Sequence, residues 1–209
     1  MAGMNKIFIT GIGTDVGKTI VSAIVVEALE ADYWKPIQAG ELEFSDSDRI
    51  RDLISNDRSR IFKNSYALET PMSPHAAADI DGIKIDLDKI VIPKTSNNIV
   101  IEGAGGLLVP INEKETILDI IKNDYKIIVV SRHYLGSINH TLLTIEKLRT
   151  HGLEISGIVF SGKKNETTEE IIEKLSRVRI LGRIDEEEGF NKEIVKRYAN
   201  SFKFVLGKL

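Results

Sequence analysis

The sequence predicts an α/β protein: a doubly wound, mainly parallel sheet with helices on both faces. Two observations carry this. Runs at Lys6–Thr10, Asn98–Glu102, Lys126–Ser131 and Ile155–Ser161 are apolar at successive positions rather than alternate ones, as in strands buried on both faces. Helix-like segments at Thr19–Glu30, Asp48–Ser55, Ile117–Lys122, Ile138–His151 and Thr168–Ser176 lie between these runs, and such alternation implies βαβ units. Tyr33–Lys35 and Val178–Leu181 are further, shorter strand candidates.

The first run leads into the most informative stretch, Thr10–Thr19. An apolar strand breaks into a glycine-rich turn, ends in Gly17-Lys18-Thr19, and continues as the helix-like Ile20–Glu30. This is the context of a phosphate-binding loop (P-loop). Backbone N–H groups wrap a polyphosphate and the helix N-terminus adds a favourable dipole. Lys18 supplies a mobile positive charge, and the Thr19 hydroxyl suits Mg²⁺. The usual pattern encloses four residues between its glycines, whereas Gly11 and Gly17 enclose five, so that Ile12 stands where the first glycine is expected.

After the helix, Trp34-Lys35-Pro36 holds Lys35 extended at a strand end, because proline disfavours the helical region for the residue before it. The position is one where ligands collect, although a solvated lysine would satisfy the same local pattern. Glu41–Asn97 is polar, carries Pro71, Pro74 and Pro93, and reads as short helices and loops inserted over the C-terminal edge of the sheet. Within it, Ser45-Asp46-Ser47-Asp48 offers helix N-caps and, equally, one more carboxylate for a metal.

Val100-Ile101-Glu102 ends a buried strand in a carboxylate, followed by the small-residue turn Gly103-Ala104-Gly105-Gly106. An acid at the tip of a strand beside a phosphate loop suits Mg²⁺. Tyr134–His140 opens a long helix whose free N–H groups suit an anion, or is simply a βα loop. The histidines, at 75, 133, 140 and 151, lack metal-ligand spacing. In the tail, Asn191–Phe202 sets Ile194, Tyr198 and Phe202 on one helical face. Its mixed charges favour packing on the sheet over lying on a membrane.

Composition narrows the class. With 209 residues, a single domain over 1–209 is expected, with 41–97 as its insertion. A net charge of -3 gives no reason to expect nucleic acid or an anionic membrane as a partner. No apolar run approaches the ~20 residues of a membrane span, and Met1–Lys6 lacks the features of a signal peptide. The absence of cysteine excludes disulfides and thiolate metal sites and suits a cytoplasmic protein.

Taken together, Thr10–Thr19, Lys35-Pro36, Pro71-Met72-Ser73-Pro74-His75, Glu102–Gly106 and Leu135–Thr144, in this order, resemble the dethiobiotin synthetase family over nearly the whole chain. That family's phosphate loop also carries the extra residue. The resemblance implies a homodimer that uses ATP and Mg²⁺ to close the ureido ring of dethiobiotin from diaminopelargonate and CO₂ or bicarbonate. One amine captures CO₂ as a carbamate, the γ-phosphate transfers to it, and the second amine displaces phosphate.

By the same resemblance, Gly13, Thr14, Asp15, Val16, Gly17, Lys18, Thr19 and Ile20 hold the phosphates, joined by Glu102, Gly103, Ala104 and Gly105. Lys18 and Lys35 flank the carbamate and γ-phosphate as catalytic residues. Thr19, Glu102 and one of Asp46 and Asp48 hold Mg²⁺, with Asp48 also counted at the nucleotide. Ala39 stands near the substrate where the family usually has Ser or Thr. Leu135, Gly136 and Asn139 of the partner subunit take the substrate carboxylate. Around the base lie Ser161 and Gly162, with Asp185, Glu186 and Glu187; the family usually has Asn where Ser161 stands and Pro where Asp185 stands. Relaxed base selectivity is therefore expected. Competing readings are a partitioning or division-site ATPase of the same clan, another ATP-dependent amidating or carboxylating enzyme, and a non-catalytic nucleotide-binding module. The partitioning ATPases carry an additional lysine early in the loop, which Ile12-Gly13 does not supply.

Overall fold

The structure, a computed structural model, describes residues 4–209. In chain order the main elements are β1 (Lys6–Gly11), α1 (Lys18–Leu29), β2 (Asp32–Trp34), β3 (Ile37–Ala39), α2 (Asp46–Leu53), β4 (Tyr66–Leu68) and α3 (Pro74–Ile80). There follow β5 (Ile99–Gly106), α4 (Ile117–Ile120), β6 (Tyr125–Arg132), α5 (Ser137–Thr150), β7 (Ile155–Ser161), α6 (Glu166–Ser176), β8 (Ile180–Ile184) and α7 (Lys192–Leu206). Six strands form one sheet in the order β2-β5-β1-β6-β7-β8, every pair parallel. The expected doubly wound parallel sheet is the one observed.

The unbroken apolar runs follow from burial on both faces. Side chains alternate across a strand. Ile7 and Ile9 of β1 enter a layer shared with α1, α2 and α7, while Phe8 enters the opposite layer with Trp34, Leu68, Ala77 and Ile117. The same split divides Ile128 and Val130 from Ile127 and Val129 on β6. Each strand residue thus meets a helix layer or the inserted segment, leaving no solvent face to demand a polar residue.

Residues 41–97 are more ordered than loops alone. β4 pairs in parallel with β3, which lies just before the segment, as a separate two-stranded sheet, and α3 begins with Pro74 in its first turn, where a missing N–H costs nothing. Helix α2 starts at Asp46 rather than Asp48, because Ser45 caps it through a reciprocal capping box with Asp48. Helix α6 starts at Glu166, two residues before the expected Thr168, because the Asn165 side chain accepts from Thr168 N–H.

The C-terminal helix α7 buries Val195, Tyr198, Ala199, Phe202 and Leu206 against the α1 side of the sheet, with Ile194 only partly covered. Its apolar face is therefore taken by protein. No described helix is long and apolar enough to cross a membrane. The Phe202 ring lies directly on Gly182 of β8: a Cβ there would stand 2.5 Å from ring atoms.

Phe202→Ala is expected to destabilise the fold by about 3–5 kcal/mol, whereas Phe204→Ala, on the exposed face of the same helix, should cost less than about 1 kcal/mol. Urea unfolding monitored by Trp34 fluorescence distinguishes them; equal small losses would mean that α7 is not part of the core.

Candidate active site

Parallel strands direct their C-terminal ends to one edge, and the sheet reverses its winding on either side of β1. The loops after β1, β2, β5, β7 and β8 therefore meet. They enclose a cleft of about 1060 Å³ lined by Thr14, Asp15, Gly17, Lys18, Thr19 and Ile20, by Lys35 and Ala39, and by Glu102, Ala104 and Gly105. Asp46, Ser161, Gly162, Asp185, Glu186 and Glu187 line it as well. The inserted segment adds Glu41, Arg49 and Pro71–Pro74, which the sequence reading assigned no individual role.

At the cleft floor four charges lie almost out of solvent. Lys18, Lys35 and Glu102 are buried and Asp46 nearly so. The Thr19 hydroxyl stands 2.9 Å from Asp46 Oδ1 and 3.0 Å from Glu102 Oε1. Lys35 Nζ pairs with Asp46 Oδ2 and lies 3.4 Å from Glu102 Oε1. Tyr33 donates its hydroxyl to Glu102 Oε2 at 2.9 Å, so both carboxylate oxygens are engaged. Tyr33 was not singled out from sequence; its only signal is a polar aromatic in a buried strand, which needs a hydrogen-bond partner.

The two lysines respond to this environment differently. Burial alone would lower the Lys35 pKa, but Glu102 and Asp46 outweigh it and raise it above the ordinary value. Lys18 is lowered to about 8, chiefly by burial, with Lys35 opposing its charge and Glu102 and Asp46 only partly compensating. Its Nζ donates to the Gly13 carbonyl at 2.8 Å. For Asp46 burial acts upward, but the Lys35 charge and the hydrogen bonds from Lys35 and Thr19 bring the carboxyl below its usual range. Tyr33 is held well above 10.0 by burial and the adjacent Glu102 charge.

The structure separates the two candidate aspartates. Asp46 joins the cluster; Asp48 does not, because as the third residue of α2 it accepts from Ser45 N–H at 3.0 Å and pairs with Arg51 at 2.6 Å. Asp48 is thus a capping residue here and lies outside the cleft lining. Val16, Gly13 and Gly103 are not part of the lining either, Val16 and Gly103 being buried and Gly13 partly so. Gly103 packs against Phe8 and Ile117, and Gly105, at φ 66°, leaves space that a Cβ would take from Val109.

Ser161 lines the cleft, yet its hydroxyl donates to the Val16 carbonyl at 2.7 Å. It ties the phosphate loop to β7 and has no donor left for a base, only its acceptor lone pairs. Asp185 pairs with Arg183 at 2.6 Å, Glu186 with Arg132 at 3.4 Å and Glu187 with Tyr198 at 2.7 Å. Leu135, Gly136 and Asn139 are not brought to this cleft within one chain. Leu135 is fully exposed, Gly136 caps α5 at φ 103°, and Asn139 lies on an open groove between α5 and α6.

Among the described residues no group of three or more His, Cys, Asp or Glu forms a self-sufficient metal site. The arrangement is nevertheless one that fits Mg²⁺: two carboxylates and a hydroxyl converge, with an ammonium holding the place of positive charge. Mg²⁺ commonly uses one or two carboxylates and completes its shell with substrate phosphates.

A parallel sheet whose first strand feeds this glycine-rich Lys-Thr loop defines a P-loop nucleotide-binding α/β protein. A family match described as an AAA domain covers residues 5–193. The ATP-dependent dethiobiotin synthetase of Christiangramia forsetii is 60% identical over 94% of this chain and 95% of its own. That of Cytophaga hutchinsonii is 50% identical over 94% and 96%, and that of Chlamydia pneumoniae 42% over 97% and 91%. This chain belongs to the ATP-dependent dethiobiotin synthetase family. In fold it is also similar to the septum site-determining protein MinD of Pyrococcus horikoshii OT3 (TM-score 0.61, 14% identity, covering 97% and 95%). A putative plasmid partition protein of Borrelia burgdorferi B31 gives 0.60 at 17% identity, covering the whole of both chains. At such identity the likeness is one of fold alone, and the partitioning-ATPase alternative is not favoured.

The Lys18 shift has a stability consequence. Between about 8 and 10.5 the unfolded chain binds a proton that the folded chain does not, so this residue's contribution improves as pH rises through that window and is most unfavourable below it. Nucleotide-free Lys18→Gln should therefore be more stable than the parent at pH 7 by ~1–3 kcal/mol, with the gain gone near pH 10.5. Urea unfolding at pH 7 and pH 10 checks this; a variant less stable at pH 7 would show that the contact with Gly13 outweighs burial of the charge.

Proposed function

We propose that this chain closes the ureido ring of dethiobiotin from 7,8-diaminopelargonate, CO₂ or bicarbonate, and ATP, with Mg²⁺, releasing ADP and phosphate. The observation that carries the reading is the meeting of Lys18, Thr19, Lys35, Asp46 and Glu102 at one end of a phosphate-loop cleft. A carbamate and a triphosphate are both anions, and their reaction requires fixed positive charge in a site that excludes water.

The roles follow from the environments. Lys35 keeps its proton despite burial and offsets the charge shared by carbamate and γ-phosphate. Lys18 exchanges the Gly13 carbonyl for a phosphate oxygen, and the loop N–H groups and the start of α1 complete the cradle. Thr19, Asp46 and Glu102 would hold Mg²⁺, which when bound supplies Lewis-acid stabilisation of the phosphates. Tyr33 keeps Glu102 oriented from behind.

One substrate amine adds to CO₂ and loses a proton to give the carbamate. Its oxygen takes the γ-phosphoryl group from ATP, releasing ADP. The second amine then attacks the carbonyl carbon, loses a proton and expels phosphate as the ring closes. Ala39 leaves the substrate without the usual hydroxyl partner at that position. The exposure of Leu135, Gly136 and Asn139 supports a homodimer in which each partner completes the other's substrate site. The chain acts as one domain, with 41–97 forming the substrate side of the cleft, in the cytoplasm. Incubation with diaminopelargonate, bicarbonate, Mg²⁺ and ATP should yield dethiobiotin by mass detection, with stoichiometric ADP. ADP release without dethiobiotin would reject the reading.

Lys35→Gln is expected to lower kcat by about 10²–10³ while the Kd for ATP changes only a few-fold. Steady-state kinetics with parallel ATP titration separates the two quantities; turnover within a few-fold of the parent would return Lys35 to a charge-balancing role alone.

Asp46→Asn should lower activity and raise the Mg²⁺ concentration needed for half-maximal rate by about tenfold or more, as should Glu102→Gln, whereas Asp48→Asn should leave the Mg²⁺ dependence unchanged. Magnesium titrations of the three variants decide the assignment, and a shift confined to Asp48→Asn would reverse it.

A further inference from the structure

We propose that Arg132 is a nucleotide-contacting residue whose guanidinium forms the platform on which the base of the nucleoside triphosphate stacks. The inference rests on the reading of this cleft as the triphosphate site and adds to it the way the base is held.

Position is the first argument. Arg132 ends β6, which lies between β1 and β7, and it pairs in register with Ser161. A ligand with its phosphates on the loop after β1 and its base toward the loops after β7 and β8 must cross this side chain. The second argument is packing. Arg132 Cγ and Nε each lie 3.6 Å from where a Cβ on Gly162 would stand, and Gly162 sits at φ 87°, where a side chain is disfavoured. One side of the arginine thus rests on bare backbone, while the residue lines the cleft with its side chain about half exposed (49%).

Its present contacts are loose. Nη1 donates to the Asp15 carbonyl and Nη2 to Glu186 Oε1, both at 3.4 Å, so little is lost by exchanging them for a ligand. The surroundings point the same way. Asp15, Asp185, Glu186 and Glu187 line this end. Arg183, which also reaches Gly162, is committed to Glu169, Asp185 and the Gly162 carbonyl. With the Ser161 hydrogen committed to the Val16 carbonyl, Ser161 has no donor left for a base edge, and the apolar surface of Ile184 and Phe190 favours gripping the base by its face. Stacking on a planar cation accepts any base, since each has a π-face.

The test is titration of the parent, Arg132→Ala and Arg132→Lys proteins with ATP, GTP, CTP and inorganic tripolyphosphate, joined to steady-state kinetics. Arg132→Ala should weaken all three nucleotides about tenfold, on the order of 1.4 kcal/mol, and leave tripolyphosphate within about twofold. The KM for nucleotide should rise with little change in kcat. Arg132→Lys keeps the charge but not the planar fork and should remain several-fold weaker than the parent. Equal losses for ATP and tripolyphosphate would make Arg132 a phosphate contact and overturn the platform. An unchanged Arg132→Ala alongside a parent that binds ATP would overturn the role of Arg132 alone, whereas a parent that binds no triphosphate removes the reading of the cleft and this role together.

Discussion

Two lysines and two carboxylates share a nearly dry cleft floor, and the need to balance their charge governs the structure around them. An isolated buried charge costs several kcal/mol, and loss of one partner leaves the other exposed to that cost. Lys35 answers Asp46 and Glu102 directly. Lys18, facing the same carboxylates and the competing Lys35, is the member left under strain. The cluster is thus neutral in sum but uneven in detail. A triphosphate on this loop would give Lys18 an anionic partner that the Gly13 carbonyl is not.

The balance can be built only because strand ends converge. Lys35 follows β2, Glu102 lies within β5, the phosphate loop follows β1, and Ser161 closes β7. Each comes from a strand whose residues are buried on both sides, so the scaffold holds these groups with little freedom. The one essential member supplied from outside the main sheet is Asp46, delivered by the capped first turn of α2. The capping box therefore has a double effect. It anchors α2, and by using Asp48 it leaves Asp46 as the carboxylate that turns toward Thr19 and Lys35.

Similarity in fold to partitioning and division-site proteins shows how much of this architecture is shared property of phosphate-loop sheets. Fold alone does not assign chemistry. Beyond the fold, the cleft of this chain is lined by a buried lysine after the second strand, the Pro71–Pro74 segment of the insertion, and an arginine at the end of β6.

The strands of the main sheet, the longer helices, the phosphate loop, and the strand-end positions of Lys35 and Glu102 were legible in the sequence, because each rests on local rules: successive apolar residues, glycine before Lys-Thr, a carboxylate at a strand tip; the short strands β3 and β4 were not. The C-terminal helix was legible too, although Val195 rather than Ile194 turned out to carry its inner face, since a periodic pattern leaves rotation uncertain by one residue. Three features were decided only by tertiary structure. Asp46 and Asp48 have equivalent sequence surroundings and are distinguished by which one the cap consumes. That the Ser161 hydroxyl donates to the Val16 carbonyl, a partner 145 positions away in the chain, has no signal in the sequence. Tyr33 and Arg132 look like an ordinary strand aromatic and an ordinary strand-end cation until β5 and β7 pair alongside and bring Glu102 and Gly162 beside them. Local propensity acts over a few residues, whereas charge pairing and burial act between whichever side chains the sheet places together.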